Sequence, residues 1–183
     1  MSSNLYSGIP SGKNPPEDIN VVVEIPLGST SKFQYDETAG YMTLDRVMHS
    51  PFHFVYEYGF IPQTHAGDGD ALDVLLLASR PTFPGCVVRA RIIGALLSED
   101  EEGEDNKFLA VPHEKVDPHY SEYKDINDVP KHLLKEIEHF MKDYKLLEEG
   151  KHEHVNIKDW KDKSYAMKLV EAGIEAYHAK SSS

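Results

Sequence analysis

At 183 residues, 40% of them hydrophobic and 27% charged, the chain is long enough for a packed domain and too apolar for a disordered protein. No apolar run reaches the ~18 residues that a membrane helix needs, the N-terminus lacks a signal-peptide apolar stretch, and Cys86 is alone, so we expect a cytoplasmic protein without disulfides. A net charge of −12 argues against general binding to nucleic acid or anionic lipid.

The first two thirds of the chain predict strands. Residues 1–16, rich in Ser, Gly and Pro, predict an N-terminal arm on a single domain that covers residues 1–183. β-Branched residues between turn signals then predict seven short strands, over residues 20–26, 32–35, 41–44, 60–63, 74–78, 87–97 and 108–112. Seven short strands joined by turns indicate an antiparallel sheet or a barrel.

The last third of the chain changes to a helical period. A start signal at residues 128–130 precedes a first apolar stripe, and a second helix is expected from about Ser164. The stripes comprise Leu133, Leu134, Ile137, Phe140, Met141 and Tyr144 in the first helix, and Ala166, Leu169, Val170, Ile174 and Tyr177 in the second. Strands followed by helices predict an α+β fold, mainly β, most simply a closed barrel with two C-terminal helices packed on it.

Three carboxylates, Asp68, Asp70 and Asp73, lie in a short turn that runs into the apolar strand at residues 74–78. Gly69 permits the tight backbone of such a turn. Like charges at this spacing raise each other's pKa unless cations neutralise them, and oxygen ligands suit Mg²⁺. Asp and Gly are also ordinary turn formers, so a solvated acidic turn is the alternative interpretation.

A second acidic segment, residues 98–107, holds six carboxylates between two predicted strands. Alone, such a segment is typical of a solvated loop. If neighbouring strands bring Asp100 and Asp105 to Asp68 and Asp73, however, the carboxylates would form a multi-metal site of the kind that orients water and shields phosphoryl oxygens. The spacing leaves both interpretations open.

Ordered motifs along nearly the whole chain resemble the family I soluble inorganic pyrophosphatases of the short prokaryotic type. The motifs are PEDINVVVEIP from Pro16, DRVM from Asp45, YGFIPQT from Tyr58, DGDALDV from Asp68, GEDNK from Gly103, AVPHEK from Ala110, KDINDVP from Lys124 and HFMKDYK from His139. The resemblance implies an OB-like, five-stranded closed barrel with extra strands and two C-terminal helices, assembled as a homohexamer. It also implies Mg²⁺-dependent hydrolysis of diphosphate to two orthophosphates by a metal-activated water, without a phosphoenzyme.

Roles follow from the resemblance by matching position. The implied metal ligands are Asp68, Asp73, Asp100, Asp105 and Glu24, and Asp70 matches the general base. The implied substrate-binding residues are Lys32, Arg46, Tyr58, Lys107, Tyr144 and Lys145. Three to four Mg²⁺ ions per site are implied, with Mn²⁺ or Zn²⁺ as substitutes.

Three positions depart from the family pattern. Gln34 replaces a frequent Glu, Phe54 replaces a frequent Tyr, and Ala71 lies where Pro or Glu is usual. None removes an implied metal ligand or the implied base, so the departures bear on rate, metal preference and hydrogen bonding around the site. The alternatives are a non-catalytic metal-binding OB-like module and an Mg²⁺-dependent nucleotide hydrolase; residues 8–14 have the wrong spacing for a phosphate-binding loop of the latter.

Overall fold

Five strands close into a barrel in the computed structural model, which describes residues 4–67, 69–100, 103–150 and 155–181. The order around the barrel is β2, β5, β6, β9 and β7, and β7 pairs again with β2 to complete the ring. These strands are β2 Asp18–Ile25, β5 Glu57–Ile61, β6 Leu72–Leu76, β7 Val87–Asp100 and β9 Lys107–Pro112. All neighbours are antiparallel except β6 and β9, which are parallel. The predicted OB-like closed barrel is confirmed.

The remaining strands extend the barrel or stand beside it. They are β1 Gly12–Asn14, β3 Ser31–Asp36, β4 Tyr41–Val47, β8 Gly103–Glu104 and β10 Asn156–Asp162. β1 pairs with β2, β8 and β10 pair with β7, and β3 and β4 form a separate hairpin. β10 was not among the predicted strands, because its polar residues lack the alternation that marks a strand.

Two α-helices follow the barrel strands, as predicted. α1, Lys131–Asp143, begins directly after Pro130, and α2 covers Lys163–Ser181. Short 3₁₀ helices lie at Pro118–Tyr120 and Ile126–Asp128. α1 buries Ile137, Phe140 and Met141, whereas α2 buries Ala166 and Val170 against the barrel. None of the helices within the described ranges is long and apolar enough to cross a membrane.

The fifth strand begins and ends earlier than predicted. β5 covers Glu57–Ile61, whereas the sequence predicted residues 60–63. Gln63 has a φ of 55°, a left-handed conformation that cannot continue a strand, so the chain turns there. The turn leads into the segment that carries Asp70, which places that carboxylate at the rim of the barrel.

Gly59 generates a stability prediction, because β5 approaches β2 very closely at this residue. A Cβ at Gly59 would lie 2.0 Å from the backbone O of Val22, which cannot move without breaking the sheet. We expect Gly59→Ala to lower the free energy of unfolding by about 1–3 kcal/mol or more, measured by urea denaturation. Gly67→Ala is the control, because a Cβ there meets nothing within 4 Å. Equal stability of the two variants would contradict this account.

Candidate active site

A buried lysine links two of the predicted carboxylates at one edge of the barrel. β6 and β9 run parallel, so their first residues lie together, and Asp73 on β6 meets Lys107 on β9. The Lys107 Nζ lies 2.5 Å from Asp73 Oδ2 and also forms an ion pair with Asp105. Lys107 is only 4% exposed, so the two carboxylates take the place of water around its ammonium.

Two opposing effects determine the pKa of Lys107. Burial by itself lowers the pKa of this ammonium, but Asp73 and Asp105 outweigh burial and raise the pKa above its usual range. Lys107 therefore stays protonated at neutral pH. Its Nζ also lies 5.7 Å from the centre of the Tyr58 ring, a cation–π distance.

A cavity of about 190 Å³ opens beside this ion pair. Seven predicted site residues line it, namely Glu24, Lys32, Tyr58, Asp70, Asp73, Asp100 and Asp105. An adjoining cavity of about 430 Å³ shares Glu24, Gln34, Asp70, Ala71 and Asp73. The fold therefore brings residues from five separate stretches of sequence to one polar space.

Glu24 is a buried carboxylate on the wall of both cavities. It is 9% exposed, and its Oε1 accepts a hydrogen bond from the backbone N–H of Tyr35 at 2.7 Å. Burial raises the pKa of Glu24 to about 7; the hydrogen bond from Tyr35 opposes this shift, and the charge of Asp73 adds to it. A carboxylate with such a pKa changes protonation state near neutral pH.

The other three cationic residues of the predicted site lie on the β3–β4 hairpin and after α1. Lys32 and Arg46 are opposite each other in β3 and β4, and Lys32 Nζ lies 3.0 Å from Asp45 Oδ2. The Arg46 guanidinium binds both carboxylate oxygens of Glu148, each at 2.8 Å. Lys145 Nζ lies 3.9 Å from Asp100 Oδ2. These pairs orient the cations beside the carboxylates.

Tyr58 and Tyr144 supply hydroxyl groups from an aromatic cluster. Burial raises the pKa of both phenols, and the charge of Asp73 adds to this at Tyr58, so both remain protonated donors. The Tyr144 ring stacks on Phe140 at 5.1 Å between centroids. Phe54 is buried between Tyr58 and Tyr144, with its ring centroid 6.1 and 6.3 Å from theirs. The absence of the hydroxyl that Tyr would carry at this position therefore affects the packing around these two rings.

Four predicted residues do not line the smaller cavity as the structure describes it. Lys107 lies beneath the Asp73 and Asp105 carboxylates, whereas Arg46, Tyr144 and Lys145 belong to the neighbouring ion pairs and aromatic cluster. α1 ends at Asp143, one residue before Tyr144. Asp68 lies outside the described residues.

Four polar residues of the site were not predicted from the sequence. Glu104 and Asn106 line the smaller cavity, and their position inside the GEDNK motif was the available signal. Asp45 and Glu148 orient Lys32 and Arg46. Glu148 is 7% exposed and follows two exposed leucines, so nothing in its local sequence indicates a buried carboxylate.

Comparison with known proteins shows related sequences that share this fold. Residues 21–178 match the family model described as inorganic pyrophosphatase. The inorganic pyrophosphatase of Aquifex pyrophilus is 46% identical over 172 residues, which cover 94% of this chain and 96% of the relative. That of Sulfolobus acidocaldarius is 44% identical over 164 residues, covering 90% and 94%. The structure of the Thermus thermophilus inorganic pyrophosphatase superposes with a TM-score of 0.91 at 42% identity, covering 96% and 99%.

An OB-like barrel with a carboxylate-rich cavity, together with these relatives, defines a hydrolase. The chain belongs to the inorganic pyrophosphatase family, as its motifs predicted. Because it covers almost the full length of its prokaryotic relatives, the assignment to the short type also holds. A non-catalytic module and a nucleotide hydrolase are not favoured by these findings.

Family membership implies dependence on divalent metal ions, and the donor atoms fit such ions. The cavity walls present the carboxylate oxygens of Asp70, Asp73, Asp100 and Asp105, the ligands that hard cations prefer. Across residues 4–67, 69–100, 103–150 and 155–181, no three His, Cys, Asp or Glu side chains are already close enough to hold an ion. The Lys107 ammonium lies against Asp73 and Asp105, and it offsets one of their two negative charges.

Glu24 generates a prediction of pH dependence for the metal-free protein. Its folded pKa of about 7 exceeds the ordinary value of 4.5, so its contribution to stability is full at acid pH and is lost as the pH rises through 7. We expect the wild type to lose roughly 1–3 kcal/mol of unfolding free energy relative to Glu24→Gln between about pH 5 and about pH 8. Urea denaturation in a chelator measures this; parallel pH profiles for the two proteins would contradict it.

Proposed function

We propose that this chain hydrolyses diphosphate to two orthophosphates in an Mg²⁺-dependent reaction at the cavity beside Lys107. The observation that carries the proposal is one polar cavity where four aspartates face Lys32 and Tyr58. A highly charged anion fits such a site when cations lie between it and the carboxylates. The names of the relatives supply the substrate, diphosphate.

Six residues are proposed to bind the substrate: Lys32, Arg46, Tyr58, Lys107, Tyr144 and Lys145. Their positions in the structure support this role in two ways. The bidentate contact with Glu148 fixes the plane of the Arg46 guanidinium, and a fixed plane suits phosphate oxygens. The protonated phenols of Tyr58 and Tyr144 can donate hydrogen bonds without adding negative charge.

Five carboxylates are proposed to hold Mg²⁺: Asp68, Asp73, Asp100, Asp105 and Glu24. Three to four ions per site are proposed from the resemblance, with Mn²⁺ or Zn²⁺ as substitutes. Bound divalent ions would lower the pKa of a coordinated water and shield the phosphoryl oxygens. The all-oxygen donor set and the small volume of the cavity support this assignment.

Asp70 is proposed as the general base. Its carboxylate lines both cavities, so it faces the space in which water and substrate would meet. Asp70 would accept a proton from the water that attacks one phosphorus, while the bond from that phosphorus to the bridging oxygen breaks and orthophosphate leaves. Direct attack by water needs no covalent intermediate on the protein. The adjacent cations stabilise the leaving group.

A homohexamer is proposed from the resemblance. A cytoplasmic location is proposed because the single cysteine, Cys86, forms no disulfide. The exposed face of α1 carries His139, whose Nδ1 lies 2.9 Å from Asp143 Oδ2 and whose ring contacts Phe52. We expect sedimentation velocity at micromolar concentration to show a hexamer. A monomer under these conditions would contradict this proposal and leave the hydrolysis proposal intact.

Asp70→Asn tests the proposed reaction. General-base catalysis contributes about 10²–10⁴-fold, so we expect kcat for orthophosphate release from diphosphate to fall by at least about 100-fold, with KM changed much less. The assay compares wild type and variant with and without Mg²⁺.

Asp159→Asn is the matched control, because Asp159 is an exposed carboxylate on β10 that lies outside both cavities. It should retain the wild-type rate. An Asp70→Asn protein with near-normal kcat would remove Asp70 from the base role, and wild type that releases no orthophosphate with any divalent ion would overturn the proposed function.

A further inference from the structure

The loop that carries Asp70 is closed by short backbone hydrogen bonds. The Ala66 N–H donates to the Asp70 carbonyl at 2.7 Å, and the Gly69 N–H donates to the Ala66 carbonyl at 3.1 Å. Gly69 has a φ of 98°, a conformation open to glycine and strained for other residues. The position of the Asp70 backbone is therefore tied directly to that of Gly69.

The side chain of His65 forms a hydrogen bond with the backbone of this loop. Its Nδ1 lies 2.7 Å from the Gly69 carbonyl oxygen. A carbonyl can only accept, so the hydrogen bond requires that Nδ1 carries the proton. Tyr6 Oη lies 2.9 Å from the same nitrogen and donates its own hydrogen to the Thr64 carbonyl at 2.6 Å. Tyr6 is thereby left as an acceptor, and both contacts favour the Nδ1–H form of His65.

The imidazole packs against two tyrosine rings, which also contact each other. Tyr6 is 6% exposed, and its centroid lies 6.0 Å from the His65 ring, while the Tyr177 centroid on α2 lies 5.4 Å away. The His65 backbone N–H donates separately to the Gly173 carbonyl at 2.9 Å. His65 therefore contacts α2 through its backbone N–H and, at Tyr177, through its ring, whereas its contact with Gly69 depends on the side chain alone.

We propose that His65 is a positioning residue for Asp70, which it fixes through the Gly69 carbonyl with Tyr6 as its support. This inference rests on the proposed function, since it assigns His65 a role at the same site. His65 lies outside the walls of both cavities, so it acts through the loop and not on the substrate. A displacement of about 1 Å at a catalytic group can lower the rate by about 100-fold.

Two substitutions with similar polarity separate positioning from packing. Asn can place an amide N–H where Nδ1 is, whereas Gln carries its amide one methylene farther, near the Nε2 position. We expect His65→Asn to retain kcat within about 3-fold of wild type, and His65→Gln to lose about 10- to 100-fold, with KM changed less than about 3-fold in both. Equal kcat in the two folded variants would overturn the proposal.

Tyr6→Phe provides a second variant that keeps the ring and removes only the hydroxyl. We expect a kcat about 3- to 10-fold below wild type with an unchanged KM, because His65 loses one of its two Nδ1 partners. His132→Asn, a substitution at an exposed histidine on α1, is the control and should match wild type. A Tyr6→Phe protein with wild-type kcat would remove Tyr6 from the role of support.

The ring nitrogens of His65 give a readout that does not depend on activity. Nitrogen-15 NMR of the metal-free wild type at alkaline pH should show the Nδ1–H tautomer, and an Nε2–H tautomer would overturn the inference. If wild type released no orthophosphate, the proposed function would fail, but the tautomer would still show whether His65 donates a hydrogen bond from Nδ1 to Gly69. If wild type were active and His65→Gln matched His65→Asn, only the positioning role would fail.

Discussion

The ion pairs of Lys107 with Asp73 and Asp105 are the constraint on which the site depends. A buried ammonium is costly unless carboxylates pair with it; here the barrel brings Asp73 on β6 to Lys107, whereas Asp105 lies two residues before Lys107 in the chain. The same pairs bring the ends of β6 and β9 into one polar centre and draw Asp73 and Asp105 to one side of the cavity. Removing Lys107 would leave Asp73 and Asp105 without the cation that they share. The site and the pairing of β6 with β9 are thus linked through a single side chain.

Around this centre, the anionic and the other cationic side chains come from different elements of the fold. Carboxylates line the cavity, while Arg46 and Lys32 approach it from a hairpin that lies outside the barrel sheet. Their acidic partners, Asp45 and Glu148, keep the two cations oriented. An acidic protein can in this way present a site for an anion, because fixed cations and bound metal ions reverse the local sign.

Much of the fold was predictable because its signals are local. The β-branched runs of β2 and β7, the start signal before α1 and the apolar stripes of both helices appear as patterns in adjacent residues. β10 escaped prediction because its strand character comes from pairing with β7, not from its own composition. Likewise, Glu148 and His65 carry no local signal. Glu148 pairs with Arg46, 102 residues away in the chain, and His65 contacts Tyr6, 59 residues away.

The amino-acid sequence by itself determined the family, the mainly β barrel with two helices, and the residue types available for catalysis, since motifs and periodicity are properties of neighbouring residues. Only the tertiary structure decided which of these residues meet. The parallel pairing of β6 with β9 brought Asp73 to Lys107, and the turn after β5 set Asp70 at the rim beside His65. Such contacts depend on strand register and closure, because hydrogen bonding and burial act across the whole barrel and no short stretch of sequence encodes them.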